Sequence, residues 1–260
     1  MSKLNNSDQL DKDLKEFTKR LPLLKMNEIN AIFYEMLPLC GVGPAIAFSR
    51  FLTLNKKVVY GDHALTSAYR RNHKSLWGDE LEDSIWVRCM HFENAIEAYN
   101  QVNDYIYIIL YFNYELFKKL DCVEINTKDD IISLSKNIRG SKLNEIETWL
   151  HSNELTKEFA DEFKDYRLFT KEMRELANDI KHRGCIAVEG ITLHRNTKVT
   201  KKINGKNVDI TELVSEVKID LDVEVEKLVE IHNYTIEILK SLYKLCNFQK
   251  QLKDFLNKHI

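Results

Sequence analysis

The segment Tyr105-Ile-Tyr-Ile-Ile-Leu-Tyr-Phe112 is apolar or aromatic at every position, and it lies in a longer run, from about 83 to 120, that contains no glycine or proline. A helix that is apolar on nearly every side is buried inside a protein, and this segment is too short to cross a bilayer. It therefore predicts the buried centre of a long helix.

The composition favours a helical globular protein. The 260 residues include only three prolines and eight glycines, and the net charge is −2. Few helix breakers favour long helices. Because the charge is near zero, any nucleic-acid site would have to be a local patch. The five cysteines form no C-x-x-C pair, and the N-terminus has no apolar leader. Both features predict a cytoplasmic protein with reduced thiols.

Apolar positions at helical spacing predict further helices along the chain. We place them at 7–22, 26–37, 45–54, 62–74, 128–137, 142–151, 154–182 and 222–258. The separation of the helices at 45–54 and 62–74 rests on Gly61 as a break.

After Gly184 the apolar pattern changes to scattered β-branched residues, which predict short strands, and Asn204-Gly205 predicts a tight hairpin turn. The predicted fold is mainly α, a bundle of long antiparallel helices with a small antiparallel β-hairpin or sheet inserted around 185–219. Because the sequence has no repeat, low-complexity segment or flexible linker, we expect one domain over 1–260.

The helix predicted at 154–182 has an unusual polar face. On an ideal helix Arg167, Lys171, Arg174, Asn178 and His182 fall within roughly an 80° arc. Cations can bind a phosphate, and a histidine can transfer a proton near neutral pH. These groups meet the minimum for cleaving RNA without a metal. The alternative is a solvated face whose cations favour the C-terminal end of the helix dipole.

Two segments resemble a known family. Arg174-Glu-Leu-Ala-Asn-Asp-Ile-Lys-His-Arg-Gly184 resembles the signature helix of the HEPN superfamily, found in prokaryotic toxins, phage-defence proteins and RNases. Tyr99-Asn-Gln-Val-Asn-Asp-Tyr-Ile-Tyr-Ile-Ile109 resembles an earlier helix of HEPN-like bacterial proteins. The resemblance implies a HEPN-like core over 80–120 and 154–258, with an N-terminal helical extension over 1–79 and the β insertion at 185–219.

The spacing of the motif departs from that of the family. The usual motif separates an arginine from a histidine by roughly four to six residues, whereas seven residues separate Arg174 from His182, and Glu175 follows the arginine. Residues eight apart lie about 12 Å apart along a helix axis. The family often dimerises with its motif helices facing each other, which would bring Arg174 of one chain near His182 of the other.

The resemblance assigns a role to each candidate residue. His182 would be the general base or acid, Arg174 would bind phosphate and Asn178 would orient one of them. Asn100 or Asp104 would hydrogen-bond to one of these residues, although Asp104 can equally be a structural partner of the arginine. The implied function is a metal-independent endoribonuclease of a bacterial defence or toxin system. The alternative is a non-catalytic HEPN-like binding or dimerisation module.

Other cations could contact an RNA backbone. The candidate nucleic-acid-binding residues are Arg167, Lys171, Arg183, Lys198, Lys201 and Lys202. The hairpin lysines can equally protect an exposed edge strand against aggregation. The histidines lack metal-ligand spacing and no phosphate-binding glycine loop occurs, so no metal or cofactor is predicted. The expected partners are RNA and a second copy or another protein, without a membrane.

Overall fold

The computed structural model describes residues 2–24, 37–71, 73, 80–183, 186–188, 200–203, 206–209 and 217–259. It is mainly α-helical, as predicted. The helices are α1 (Ser2–Lys19), α2 (Val42–Tyr69), α3 (Glu80–Asn113), α4 (Leu116–Leu120), α5 (Lys128–Asn137), α6 (Ser141–Ser152), α7 (Lys157–Phe169), α8 (Lys171–Arg183), α9 (Leu221–Cys246) and α10 (Phe248–His259). A 3₁₀ turn, Leu37–Cys40, precedes α2.

Short strands follow α8, and they confirm the predicted β insertion. They are β1 (Ile186–Val188), β2 (Thr200–Ile203), β3 (Lys206–Asp209) and β4 (Val217–Ile219). β2 and β3 pair antiparallel, with Lys202 opposite Asn207. β1 and β4 pair parallel, with Ile186 opposite Val217. The predicted turn at Asn204-Gly205 lies outside the described residues.

Contacts between Cα atoms divide the chain into two compact units. Unit 1 comprises 1–22, 60–100 and 170–232, and unit 2 comprises 23–59, 101–169 and 233–260. Each has its own apolar core and is described separately below. The single domain expected from the sequence stays a prediction.

The segment Tyr105–Phe112 supplies much of the core of unit 2. Ile106, Ile109, Leu110 and Phe112 are completely buried, as the sequence predicted. Tyr111 is buried too, but its hydroxyl donates to the carboxylate of Asp121. The start of α2 lies so close to the end of α3 that a Cβ on Gly43 would stand 2.5 Å from the Phe112 carbonyl oxygen. Only glycine fits at that position.

Unit 1 is organised around the C-terminal end of α2. The last carbonyls of a helix have no partner within the helix and need donors from elsewhere. The Arg88 Nε of α3 donates to the Ala68 carbonyl at 2.7 Å. The Ser84 hydroxyl donates at 2.8 Å to the carbonyl of Arg71, two residues beyond the end of α2. The guanidinium of Arg88 also pairs with Asp222 in the first turn of α9. Arg88 thereby links three helices.

Several helix boundaries differ from the prediction. Helix α2 continues through Gly61, because the missing side chain lets the helix pack on Tyr99: a Cβ there would stand 3.0 Å from the tyrosine Cζ. The long run from 83 to 120 divides after Asn113, where Glu115 has a φ of 49°. The last helix divides at Asn247, whose φ is 45°. Asparagine adopts this left-handed conformation more readily than most residues.

The helix predicted at 26–37 falls almost entirely outside the described residues.

His232 is completely buried in unit 1, and both of its ring nitrogens are hydrogen-bonded. Its Nε2 lies 2.7 Å from the Pro22 carbonyl oxygen and its Nδ1 lies 2.8 Å from the Tyr99 hydroxyl. A carbonyl can only accept, so Nε2 carries the proton and Nδ1 accepts from the tyrosine. Burial lowers the pKa of His232, against the opposing effects of the Pro22 carbonyl and nearby Asp62. The ring is therefore neutral in the folded protein.

We expect the stability of the protein to fall as the pH drops below about 6.5, the ordinary pKa of histidine. Below this pH the His232 ring is protonated in the unfolded chain but stays neutral in the folded protein. The free energy of unfolding therefore decreases by at most about 1.4 kcal/mol per pH unit. Burial raises the pKa of Asp62, which adds an opposing slope at lower pH. Urea unfolding of wild type and His232→Gln between pH 5 and pH 8 measures the effect. Equal slopes above pH 5.5 in both proteins would contradict it.

Candidate functional site

Helix α8 carries the three residues proposed from the sequence as catalytic. It runs from Lys171 to Arg183 and packs against β4 within unit 1. Met173 is buried at 5% exposure and fixes which side of the helix faces inward. Thr170, a residue type favoured at helix N-caps, precedes the helix, and its carbonyl accepts the Arg174 amide at 3.1 Å.

The side chains of Arg174, Asn178 and His182 differ in accessibility. The side chains of Asn178 and His182 are exposed, and neither side chain makes a hydrogen bond to the part of the chain that the structure describes. Arg174 is partly buried, with its Nε shielded from solvent. An amide and an imidazole are therefore available to a ligand on one helix face, with the arginine at the edge of the protein surface.

The spacing of these residues is regular. Asn178 lies four residues from Arg174 and four from His182, so the three project from nearly the same side of α8. The rise of a helix places neighbouring members about 6 Å apart and the two ends about 12 Å apart. The helix presents a line of polar groups, and its two ends cannot easily contact one phosphate within a single chain.

Arg167 lies on a different helix from Arg174, Asn178 and His182. The helix expected at 154–182 is interrupted at Thr170, which leaves Arg167 on α7. Its guanidinium pairs with Glu147 of α6 and donates to the Tyr107 hydroxyl at 2.5 Å. The Tyr107 hydroxyl in turn donates to Glu147. We therefore leave Arg167 out of the proposed site.

The partners of Arg167 could not be found from the sequence. Tyr107 is 60 residues away and Glu147 is 20 residues away. A helix pattern carries no signal for such a contact, because it reports only which residues share a face.

The other candidate cations lie in several places. Lys171 is exposed and lies 3.7 Å from Glu175, an exposed pair that contributes little stability. Lys201 and Lys202 are exposed neighbours on β2 and so point to opposite faces of the hairpin. The side chain of Arg183 and all of Lys198 lie outside the described residues.

The two supporting residues both lie on α3. Asn100 is partly buried in unit 1. Within the described part of the chain, it forms no hydrogen bond with Arg174 or His182. Asp104 is exposed and belongs to unit 2. The role given to them by the family resemblance stays a prediction.

In comparisons with known proteins, no family model, curated protein or solved structure matches the chain. Among the described residues, no three His, Cys, Asp or Glu side chains are grouped so that they could hold a metal ion. No helix in the described ranges combines the length and hydropathy needed to cross a membrane.

We expect Arg167→Met to lower the free energy of unfolding by about 1–2 kcal/mol, because Glu147 and Tyr107 lose a charged partner that is only partly exposed to solvent. Urea unfolding measures the change. Lys164→Met on the exposed side of the same helix is the matched control and should stay within about 0.5 kcal/mol of wild type. Unchanged stability of Arg167→Met, with weaker RNA binding, would show instead that the side chain serves RNA.

Proposed function

We propose that this protein is a HEPN-like, metal-independent endoribonuclease of a bacterial defence or toxin system, and that Arg174, Asn178 and His182 of α8 form its site. The observation that carries the proposal is the accessible polar face of α8, on which exposed Asn178 and His182 follow Arg174 at regular four-residue intervals. The family resemblance of this helix adds the reaction class.

The proposed chemistry needs only these side chains. His182 takes the proton of a ribose 2′-hydroxyl, and the 2′-oxygen attacks the adjacent phosphorus. The bond from phosphorus to the 5′-oxygen breaks, and water supplies a proton to the leaving oxygen. The products are a 2′,3′-cyclic phosphate and a 5′-hydroxyl end. The guanidinium of Arg174 stabilises the negative charge that grows on the phosphate, and Asn178 orients one of these groups.

The length of the motif favours a site built by two copies of the chain. Arg174 and His182 are equally far along the sequence from Asn178. If two α8 helices pair antiparallel about a two-fold axis through Asn178, Arg174 of each copy therefore faces His182 of the other. Such a dimer removes the separation of about 12 Å that a single helix imposes.

A second function is favoured by the partial burial of Arg174. A guanidinium whose Nε is shielded from solvent is less free to follow a phosphate through a reaction. In a non-catalytic HEPN-like module, the same face would hold a second copy or another protein without any turnover. Asn178→Arg should then abolish association, while RNA stays intact with every variant.

We expect His182→Ala to abolish cleavage of total RNA in the presence of EDTA, because the base for the 2′-hydroxyl is lost. His182 is exposed, so the variant should fold like wild type. His63→Ala, a change at another exposed histidine of unit 1, is the matched control and should cleave normally. Gel analysis of the RNA and light scattering of each protein give the result, and cleavage by His182→Ala at the wild-type rate would refute the assignment.

Mixing two inactive variants tests whether the site is shared between copies. Arg174→Ala and His182→Ala chains, unfolded together and refolded, should recover about a quarter of wild-type activity, because half of the dimers are mixed and each has one intact site of two. If each chain holds its own complete site, the mixture stays inactive. An inactive wild type that still dimerises would favour the binding module.

A further inference from the structure

Helix α7 ends in unit 2 with two large apolar side chains at the surface. Leu168 is 62% exposed and Phe169 is 47% exposed. Single exposed apolar residues are common on proteins and need no explanation. An exposed apolar residue that packs against aromatic side chains and lies near carboxylates is more informative. Phe169 is such a residue.

Phe169 forms an aromatic corner with Tyr234 of α9. The two ring centroids are 5.4 Å apart and the ring planes meet at 62°. On its other side, Tyr234 packs edge-on against Tyr166, with centroids 5.3 Å apart. Tyr166 is buried, and its hydroxyl is hydrogen-bonded to Thr235 at 2.9 Å. One wall of the corner is therefore held by the core of unit 2, while the other is about half exposed.

Two carboxylates accompany this corner. Glu162 and Asp165 precede Phe169 by seven and four residues, which places them on the same side of α7. After burial, these two acids are the causes that raise the pKa of the Tyr234 phenol. Asp165 is exposed, and no cation of the described chain is within ion-pairing distance of it. Glu162 accepts a hydrogen bond from Ser241 at 3.0 Å.

From this arrangement we propose that Phe169, Tyr234, Asp165 and Glu162 bind a lysine or arginine side chain of a partner protein, with Leu168 covering an apolar neighbour of that residue. Aromatic faces attract cations, and the attraction grows where the cation is partly desolvated. The carboxylates add an opposite charge. The same carboxylates repel an RNA phosphate, so the surface suits a basic protein segment.

The test uses two labelled peptides of identical length, one of alternating leucine and lysine and the other of alternating leucine and glutamate. Fluorescence anisotropy measures the binding of each peptide to the full chain. The variants Phe169→Leu, which keeps an apolar side chain but removes the ring, and Asp165→Asn, which removes one charge, probe the corner. Their matched controls in unit 2 are Leu155→Ala, at a residue that is 80% exposed, and Asp129→Asn, at another exposed carboxylate.

We expect the lysine peptide alone to bind, and both corner variants to weaken it by about five- to tenfold, with less than a twofold change in the controls. All these positions are at the surface, so circular dichroism should show folded proteins. Equal binding of the glutamate peptide, or equal effects of the corner and control variants, would overturn the proposal. Tighter binding of a labelled RNA oligonucleotide to wild type than to Phe169→Leu would assign the surface to nucleic acid instead.

Discussion

The carbonyl groups at the C-terminal end of α2 must find donors, and the way they do so determines how unit 1 is assembled. The Ser67 carbonyl lies 2.9 Å from His73 Nε2, and Arg88 of α3 donates to the Ala68 carbonyl. A cation at this end of α2 also suits the helix dipole, and Asp222 at the start of α9 suits the dipole of that helix. One buried guanidinium therefore joins the last turn of α2 to a carboxylate in the first turn of α9.

The face of α8 depends on this anchor through the short strands. Asp222 follows β4 after only two residues, and β4 pairs with β1, which comes just after α8. β4 also packs directly on α8. The start of α9 is thus close in sequence to β4, and β4 contacts the helix that carries His182. A site that depends on defined geometry needs such support from rigid elements.

Much of the fold could be predicted because helical periodicity is a local property. Six of the eight residues of the segment Tyr105–Phe112 are buried, as its composition indicates, and the predicted β insertion follows Gly184. The wrong boundaries have tertiary causes: Gly61 continues a helix because Tyr99 packs against it, and Asn247 breaks one in a left-handed conformation. Sequence spacing also placed Arg167 on one helix with Arg174, whereas the helix that carries Arg167 ends at Phe169 and the arginine pairs with Glu147. Helical periodicity is enough to predict that Asn178 and His182 are accessible to solvent. It cannot predict an ion pair between distant residues, such as Arg167 and Glu147.

A double-mutant cycle on Arg88 and Asp222 tests most directly whether this anchor holds unit 1 together. The free energy of unfolding would be measured in urea for wild type, Arg88→Met, Asp222→Asn and the double variant. The side chain of Arg88 is 10% exposed and that of Asp222 is 51% exposed, so the pair is screened from solvent on one side only. We predict a coupling energy of about 1–2 kcal/mol, above the range of most surface ion pairs. A coupling below about 0.3 kcal/mol would mean that the two residues act independently, and that unit 1 is held by its apolar core alone.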